Sequence, residues 1–230
     1  MTFRAPALDP SICLVYADDA IIVLDKPSGL LSVPGRGADK QDCLSARVQA
    51  EYADAMVVHR LDMATSGLIV MARGALVQRT LSEAFANRLV AKRYQAVVHG
   101  EVTTLVNEWR VIDLPIGVDW PNRPRRVVDQ LNGKASITRL QANDFDATRR
   151  VSHVTLEPQT GRTHQLRVHM QAIGHPILGD ALYAPAAIAA RSPRLLLHAS
   201  ELGFAHPLTG VPMQFSLQRL KYPGDHHTKR

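Results

Sequence analysis

The chain has 230 residues, 46% of them hydrophobic, with a formal net charge of +6 and a sequence pI of about 9.6. This composition excludes an intrinsically disordered protein, and the length allows one large domain or two small ones that share a sheet. No apolar run approaches the roughly 20 residues that span a bilayer, and no signal peptide is visible, so we expect a soluble, cytoplasmic protein. The positive charge weakly favours a polyanionic partner.

The predicted elements include more strands than helices. Apolar runs that end at turn-forming residues predict strands, and apolar residues at about four-residue spacing predict helices. In chain order, the pattern predicts strands at 21–24, 57–61 and 68–72, a helix at 75–89, strands at 93–99, 135–141 and 150–157, a helix at 163–173, and a hairpin of 194–200 with 211–217. Because strands and helices do not alternate strictly, the predicted fold class is α+β with a largely antiparallel sheet.

A polar segment at 59–68, HRLDMATSGL, lies between two predicted strands and contains the carboxylate of Asp62. Loops at strand ends often carry catalytic groups, because the sheet holds them in place while the loop stays open. Asp62 is therefore a candidate catalytic residue, and the alternative is a turn aspartate that bonds its own backbone. Cys13 and Cys43 stand alone and predict reduced thiols, and no Cys/His pattern typical of a metal site is present.

The string HRLDxxTSGL resembles the catalytic signature of the RluA family of pseudouridine synthases. The DWPNRP loop at 119–124 and the GRTHQLRVHM run at 161–170, together with the short architecture, resemble its dual-specificity member. Further matches follow in the family's order: DKPSGL at 25–30, KRY at 92–94, DLPI at 113–116, GKA at 133–135, TGRTHQLRVH at 160–169, GHPILGD at 174–180 and LLHA at 196–199. The resemblance covers about residues 20–217. It implies the pseudouridine synthase fold, a mixed, largely antiparallel central sheet flanked by helices, with an active-site cleft across the sheet.

The resemblance also implies the catalytic residues. Asp62 takes the place of the family's catalytic carboxylate, and a carboxylate nucleophile divides one difficult step into easier ones. Tyr94 matches the tyrosine that can stack on uracil and help to move the C5 proton. Arg167 matches the arginine that pairs with the carboxylate, and Leu166 and Met170 of the predicted helix leave Arg167 on its flank. The isomerisation requires no cofactor.

Several further residues are candidates for RNA contact. Arg60 would enter the RNA stack where the target uridine has been flipped out, and the alternative is a charge partner of Asp62. Arg162, just before the predicted second helix, would bind a phosphate at the helix N-terminus, and the alternative is a solvated arginine. The remaining candidates are Lys26, read as a structural or phosphate-contacting residue, His164, Leu197, and the loop residues Arg123, Arg125 and Arg126.

The resemblance implies a chain with a lead-in at 1–20, a catalytic domain at 21–217 and a tail at 218–230, without a separate N-terminal RNA-binding module. We expect a monomer that isomerises uridines in a tRNA anticodon stem-loop and in 23S rRNA. Three alternatives stay open: an enzyme that acts on rRNA alone, an RNA-binding or chaperone protein on the same scaffold, and a glycosylase that excises the base. Neither a metal nor a membrane partner is expected.

Overall fold

The computed structural model describes residues 13–104, 108–218 and 220. The strands are β1 (Cys13–Ala17), β2 (Ile21–Lys26), β3 (Ala55–Val57), β4 (Ser66–Arg73), β5 (Ala91–His99), β6 (Arg110–Asp113), β7 (Ile116–Val118), β8 (Arg126–Val128), β9 (Ile137–Asp146), β10 (Val151–Pro158), β11 (Leu197–Ala205) and β12 (Pro212–Ser216). The α-helices are α1 (Leu44–Glu51), α2 (Ala75–Ala86), α3 (Gln165–Ala172) and α4 (Ala186–Ala189), and Ala38–Lys40 forms a 3₁₀ turn. None of these helices is long and apolar enough to cross a membrane.

The chain divides into two compact units. The first unit contains the chain up to Lys92 together with Ala199–Leu217, and the second contains Arg93–His198 together with the chain from Gln218 onwards. Every strand ladder described below is antiparallel. The predicted α+β class with a largely antiparallel sheet is therefore confirmed.

In the first unit, β2 pairs with β1 on one side and with β4 on the other, and β3 also pairs with β4. β12 pairs with β11 over Glu201–Ala205. The apolar runs IIVL of β2 and LIVMA of β4 are almost entirely buried, which is typical of strands that are covered on both faces. The register places Lys26 opposite Gly67, so the last residue of β2 lies beside the loop that precedes β4.

Helix α2 covers the core of the first unit but is shorter than the sequence predicts. Val77 and Leu81 are buried against the strands, as expected for an apolar stripe. The helix ends at Ala86, because the chain must turn back into β5 at Ala91. Leu89, predicted to continue the stripe, is consequently 72% exposed.

In the second unit, β5 pairs with β10, β10 with β9, and β9 with β6. The hairpin of β7 and β8 forms a separate two-stranded sheet. A small apolar cluster of Ile116, Val168 and Tyr183 packs this hairpin against α3. All six residues at 165–170 of α3 are buried, so this helix is enclosed rather than amphipathic. Arg167, which is predicted to lie on a flank of the helix, is one of these buried residues.

Short strands account for most of the elements that the sequence does not predict. β1 lies inside the predicted lead-in at 1–20, and β6, β7 and β8 lie within 100–133, which reads as strand-poor. Three- and four-residue strands are too short for an alternating pattern to stand out. Leu220, inside the predicted tail, is 5% exposed and donates its N–H to Gln95 Oε1 at 2.6 Å. Residues 1–12 and most of 218–230 lie outside the described residues.

Candidate active site

Asp62 lies in a turn between β3 and β4 of the first unit. The backbone carbonyl of Asp62 accepts the N–H of Thr65 at 3.1 Å, and the side chain of Thr65 is buried. The adjacent loop at 26–30 holds this turn from one side, because Gly29 N–H donates to Met63 O at 2.8 Å and Ser28 Oγ donates to Ala64 O at 2.7 Å. Asp62 is half-buried, and these hydrogen bonds link the turn that carries it to the loop at 26–30.

Lys26 is the main link between these loops. Its ammonium donates to Pro27 O and Leu30 O, both at 2.8 Å, and to Met63 O at 3.2 Å, and the residue is 0% exposed. Burial lowers the pKa of Lys26 to about 8, and the negative charges of Asp62 and Asp25 oppose this shift. Lys26 is predicted to be a structural or phosphate-contacting residue, and the use of its three donors on backbone carbonyls supports the structural alternative.

Replacement of Lys26 by methionine is expected to lower the free energy of unfolding by about 3 kcal/mol, because buried carbonyls lose their charged donor. The Asp62 loop should also loosen, so turnover should fall more than the affinity for RNA. Urea unfolding and steady-state kinetics measure the two effects. The exposed Lys40 provides the matched control, and Lys40→Met should change stability by less than about 0.5 kcal/mol. Equal stability of the two variants would contradict the positioning role.

His59 fixes the other side of the Asp62 loop. Its Nε2 accepts the N–H of Val70 in β4 at 3.1 Å, and its ring stacks on Phe85 with centroids 4.3 Å apart. Desolvation, together with the positive charge of Lys92, lowers the pKa of His59 to about 3, so the ring is neutral at pH 7. Arg60, the next residue, is exposed. A half-buried, neutral histidine therefore anchors the backbone from which Arg60 projects.

The stability of the protein should depend on the protonation of His59. Its folded pKa of about 3 lies below the ordinary value of 6.5, so the unfolded chain binds more protons between these values. Stability should therefore fall as the pH drops below 6.5, by roughly 1 kcal/mol at pH 5 for this half-buried ring. Urea unfolding at pH 7.5 and pH 5 of the wild type and of His59→Gln tests this. His59→Gln should not show this loss of stability between pH 7.5 and pH 5. A pH dependence equal to that of the wild type would contradict a contribution of His59 protonation.

Gly67, at the start of β4, cannot carry a side chain. Its φ of 113° lies in a region that L-residues rarely adopt. A Cβ built at this position would overlap the backbone carbonyl of Ala199 within the same unit. The glycine of the TSGL string therefore serves a close approach of two backbones directly after the Asp62 turn.

In the second unit, Arg167 forms a buried bidentate ion pair with Asp180. Nε donates to Oδ2 at 2.8 Å and Nη2 donates to Oδ1 at 2.7 Å, with 4% and 1% of the residues exposed. Oδ1 of Asp180 also accepts the N–H groups of Leu182 and Tyr183 at 3.0 and 3.2 Å. Asp180 is thus a fixed anchor for the guanidinium. Asp180 lies within the string GHPILGD, and its local sequence does not indicate this role.

Tyr183 connects this ion pair to the basic loop that contains Arg123, Arg125 and Arg126. Tyr183 was not predicted from the sequence as a functional residue. Its ring lies 5.0 Å from the Arg167 guanidinium and 5.7 Å from that of Arg125. Its hydroxyl accepts the N–H of Arg126 at 2.9 Å and lies 2.6 Å from His164 Nδ1. His164 is half-buried, and its ring is hydrogen-bonded to Tyr183. Only its position in the chain, three residues after Asp180, could have indicated Tyr183.

The other predicted residues occupy different environments. Tyr94 is half-buried in β5, opposite Leu156 of β10. Leu197 is 3% exposed at the start of β11, and its contact with RNA stays a prediction. Arg162 is exposed, and its Nε donates to Ala135 O at 3.2 Å. Its N–H is bonded to Gln165 Oε1 at 3.1 Å, so a side chain already occupies part of the predicted anion site at this helix start.

The structure thus groups the predicted residues by unit. In the first unit it brings Lys26 to the Asp62 loop, with Arg60 exposed beside it. In the second unit it brings His164, Arg125 and Arg126 to Tyr183 and the Arg167–Asp180 pair. Arg123 lies in the same basic loop, with its guanidinium 4.0 Å from the ring centroid of Trp120.

Comparison with known proteins supports an RNA-modifying enzyme. Residues 20–172 match the sequence profile described as RNA pseudouridylate synthase. The chain is 46% identical over 210 residues to the dual-specificity RNA pseudouridine synthase RluA of Escherichia coli, covering 91% of this chain and 94% of that one. It is 50% identical over 206 residues to the protein of the same name in Vibrio parahaemolyticus, covering 88% and 81% of the two chains.

The fold agrees with solved structures. Human RNA pseudouridylate synthase domain containing 1 superposes with a TM-score of 0.75 at 26% identity, covering 94% of this chain and 86% of that chain. Human RNA pseudouridylate synthase domain containing 4 gives a TM-score of 0.68 at 25% identity, covering 90% and 88%. The family match covers well over half of the chain. The chain therefore belongs to the RNA pseudouridylate synthase family, and it is an enzyme that isomerises uridine to pseudouridine in RNA.

Proposed function

We propose that this enzyme modifies two classes of RNA, a tRNA anticodon stem-loop and a loop of 23S rRNA. The observation that carries this proposal is the extent of the similarity to enzymes named dual-specificity RNA pseudouridine synthase, which are 43–50% identical over about 90% of this chain. The net charge of +6 suits either polyanionic substrate. We propose further that the enzyme acts as a cytoplasmic monomer and that residues 21–217 constitute its catalytic domain.

Asp62 is the proposed covalent catalyst. The reaction breaks the bond between ribose C1′ and uracil N1 and forms a bond between C1′ and C5. The proton on C5 leaves, and N1 gains a proton. A carboxylate can form a bond to the nucleoside while the uracil turns, and this bond breaks again when C5 joins C1′, which regenerates the carboxylate. The half-buried carboxyl group of Asp62, on a turn that Lys26 and Ser28 secure, supports this role, because a nucleophile must be held in one geometry.

Tyr94 and Arg167 are proposed to assist Asp62. A tyrosine ring that is only half-buried has an apolar face to offer a uracil and a hydroxyl near which a proton can move. The guanidinium of Arg167 is held rigidly by Asp180 and by the ring of Tyr183, and a fixed cation can keep a carboxylate ionised. These roles rest on the positions of both residues in the family motifs.

The remaining proposals concern RNA binding. Arg60 is exposed next to Asp62, so it can enter the stack that the flipped nucleotide leaves. Arg123, Arg125, Arg126 and Arg162 are proposed phosphate contacts, because guanidinium groups match the geometry of phosphate. His164, which is bonded to Tyr183, supports the loop that carries these arginines.

Release of tritium from RNA labelled at uracil C5 tests the two-substrate proposal. The enzyme should release tritium from an anticodon stem-loop RNA and from a 23S rRNA fragment. Release from rRNA alone would replace dual specificity with an rRNA-only enzyme. Mapping of pseudouridines in total RNA from cells with and without the gene then identifies the target nucleotides. At least one site in tRNA and one in rRNA should disappear.

A further inference from the structure

A cavity of about 660 Å³ lies entirely within the second unit. The β7–β8 hairpin and its loop form one wall, and Gly161–Thr163 form another. Its volume falls in the range of about 300–1,000 Å³ that is usual for small-molecule and cofactor sites. None of the residues that line it is Tyr94 or Arg167. The cavity is therefore not lined by the proposed catalytic residues of this unit.

The lining of the cavity is basic. Arg126, Lys134 and Arg162 supply three cations, and Asp129 is the one acid among the lining residues. Oδ1 of Asp129 accepts the N–H groups of Leu131 and Asn132 at 3.0 and 2.9 Å, so this carboxylate stabilises the turn in which Asp129 lies. A concave surface with an excess of cations concentrates anions and suits a phosphate group.

The side chain of Arg126 contains a hydrogen-bond donor for which the described residues supply no acceptor. Its Nε is buried and has no hydrogen-bond partner within the described part of the chain. A buried donor without an acceptor is costly and uncommon in folded proteins, so it needs an explanation at each site where it occurs. Because Arg126 lines the cavity, a shift of its side chain would bring this donor to an oxygen of a bound ligand.

Trp120 supplies an aromatic surface beside these cations. It lines the cavity and is 64% exposed, although large aromatic side chains are usually buried. The guanidinium of Arg123 lies 4.0 Å from the centroid of its ring, which restricts the ring to one orientation. Exposed aromatic rings next to basic groups are typical of sites that stack the bases of single-stranded nucleic acid.

We propose that this cavity binds an unpaired nucleotide of the RNA substrate other than the target uridine. The base stacks on Trp120, and its phosphate contacts Arg126, Lys134 and Arg162. This inference rests on the proposed function, because it takes RNA as the substrate. Since Arg126 N–H is bonded to Tyr183, whose ring contacts Arg167, a nucleotide in this cavity also restrains the surroundings of the proposed catalytic arginine.

Kinetics on a stem-loop RNA provide the first test. Trp120→Ala should raise KM about tenfold and leave kcat within about twofold, because loss of base stacking weakens binding and not the chemical step. Trp120→Phe should restore most of the affinity. Val111→Ala is the matched control: Val111 is 58% exposed in the same unit and does not line the cavity. A KM of Trp120→Ala equal to that of the control would overturn the proposal.

Fluorescence provides the second test. The chain has two tryptophans, so in an Asp62→Asn, Trp109→Phe background the emission comes from Trp120 alone. Titration with a short single-stranded RNA should quench this emission. An RNA with one abasic position in its unpaired segment should quench it less. Adenosine monophosphate at the same concentration should have little effect. Stronger quenching by the free nucleotide than by RNA would show a mononucleotide site and overturn the assignment.

The salt dependence separates the phosphate contacts. Lys134→Ala should reduce the slope of log affinity against log salt by about one, whereas Arg149→Ala, at the turn between β9 and β10, should leave it unchanged. Equal slopes in the two variants would remove Lys134 from the site. Failure of the proposed function is distinguishable, because wild-type enzyme would then release tritium from only one of the two RNA classes. Failure of the cavity proposal leaves wild-type release intact.

Discussion

Asp62→Asn is expected to reduce tritium release by roughly 10³-fold or more while the affinity for RNA stays within about twofold. An amide has nearly the shape of a carboxylate but cannot act as an anionic nucleophile. The turn that carries residue 62 is held by its backbone carbonyl and by its neighbours Met63 and Ala64, so this substitution should leave the loop in place.

The control for this experiment is Asp39→Asn. Asp39 is an exposed acid in the 3₁₀ turn of the same unit, and its substitution should leave both activity and affinity unchanged. Thermal unfolding of the two variants checks that neither loses its fold. Full tritium release by Asp62→Asn would remove Asp62 from the chemistry, whereas parallel loss of binding and activity would make it a structural residue.

Asp180→Asn is expected to lower the free energy of unfolding by about 3 kcal/mol or more. Removal of one partner from a buried ion pair leaves the other charge uncompensated, which typically costs about 3–5 kcal/mol. In this case the guanidinium of Arg167 loses a bidentate carboxylate in an environment where both residues are at least 95% buried. Urea unfolding of the variant measures this loss.

A surface ion pair of the same unit provides the comparison. Arg149 and Asp146 lie 3.1 Å apart with 40% and 31% of their side chains exposed, so Asp146→Asn should cost less than about 1 kcal/mol. The double variant Arg167→Met/Asp180→Leu should be more stable than Asp180→Asn, because it removes the buried guanidinium together with its carboxylate. If Asp180→Asn and Asp146→Asn were equally stable, the ion pair would not anchor Arg167.

The sequence predicted the parts of the fold that depend on long apolar runs. The runs IIVL and LIVMA specify buried strands by composition alone, and β2 and β4 follow them closely. The turn directly before β4 is indicated by polar residues and Gly67, so the location of Asp62 was predictable. Resemblance to a family then supplied the activity, which the pattern of residues by itself did not contain.

The sequence could not predict contacts that join distant segments. A lysine usually reads as a surface residue, and the role of Lys26 depends on a carbonyl 37 residues away at Met63. The partner of Arg167 is 13 residues further along the chain, beyond the end of α3. The cavity beside Trp120 is formed by two segments that are far apart in sequence. In each case the tertiary fold, rather than local periodicity, creates the environment.

Nucleoside analysis of the product RNA tests the central claim most directly. A stem-loop RNA is incubated with wild-type enzyme or with Asp62→Asn, digested to nucleosides, and assayed for uridine, pseudouridine and free uracil. The wild type should form one pseudouridine for each uridine lost, with no free uracil, and Asp62→Asn should form almost none. Release of uracil would reveal a glycosylase instead, and equal pseudouridine from both proteins would show that the carboxylate of residue 62 is not the catalyst.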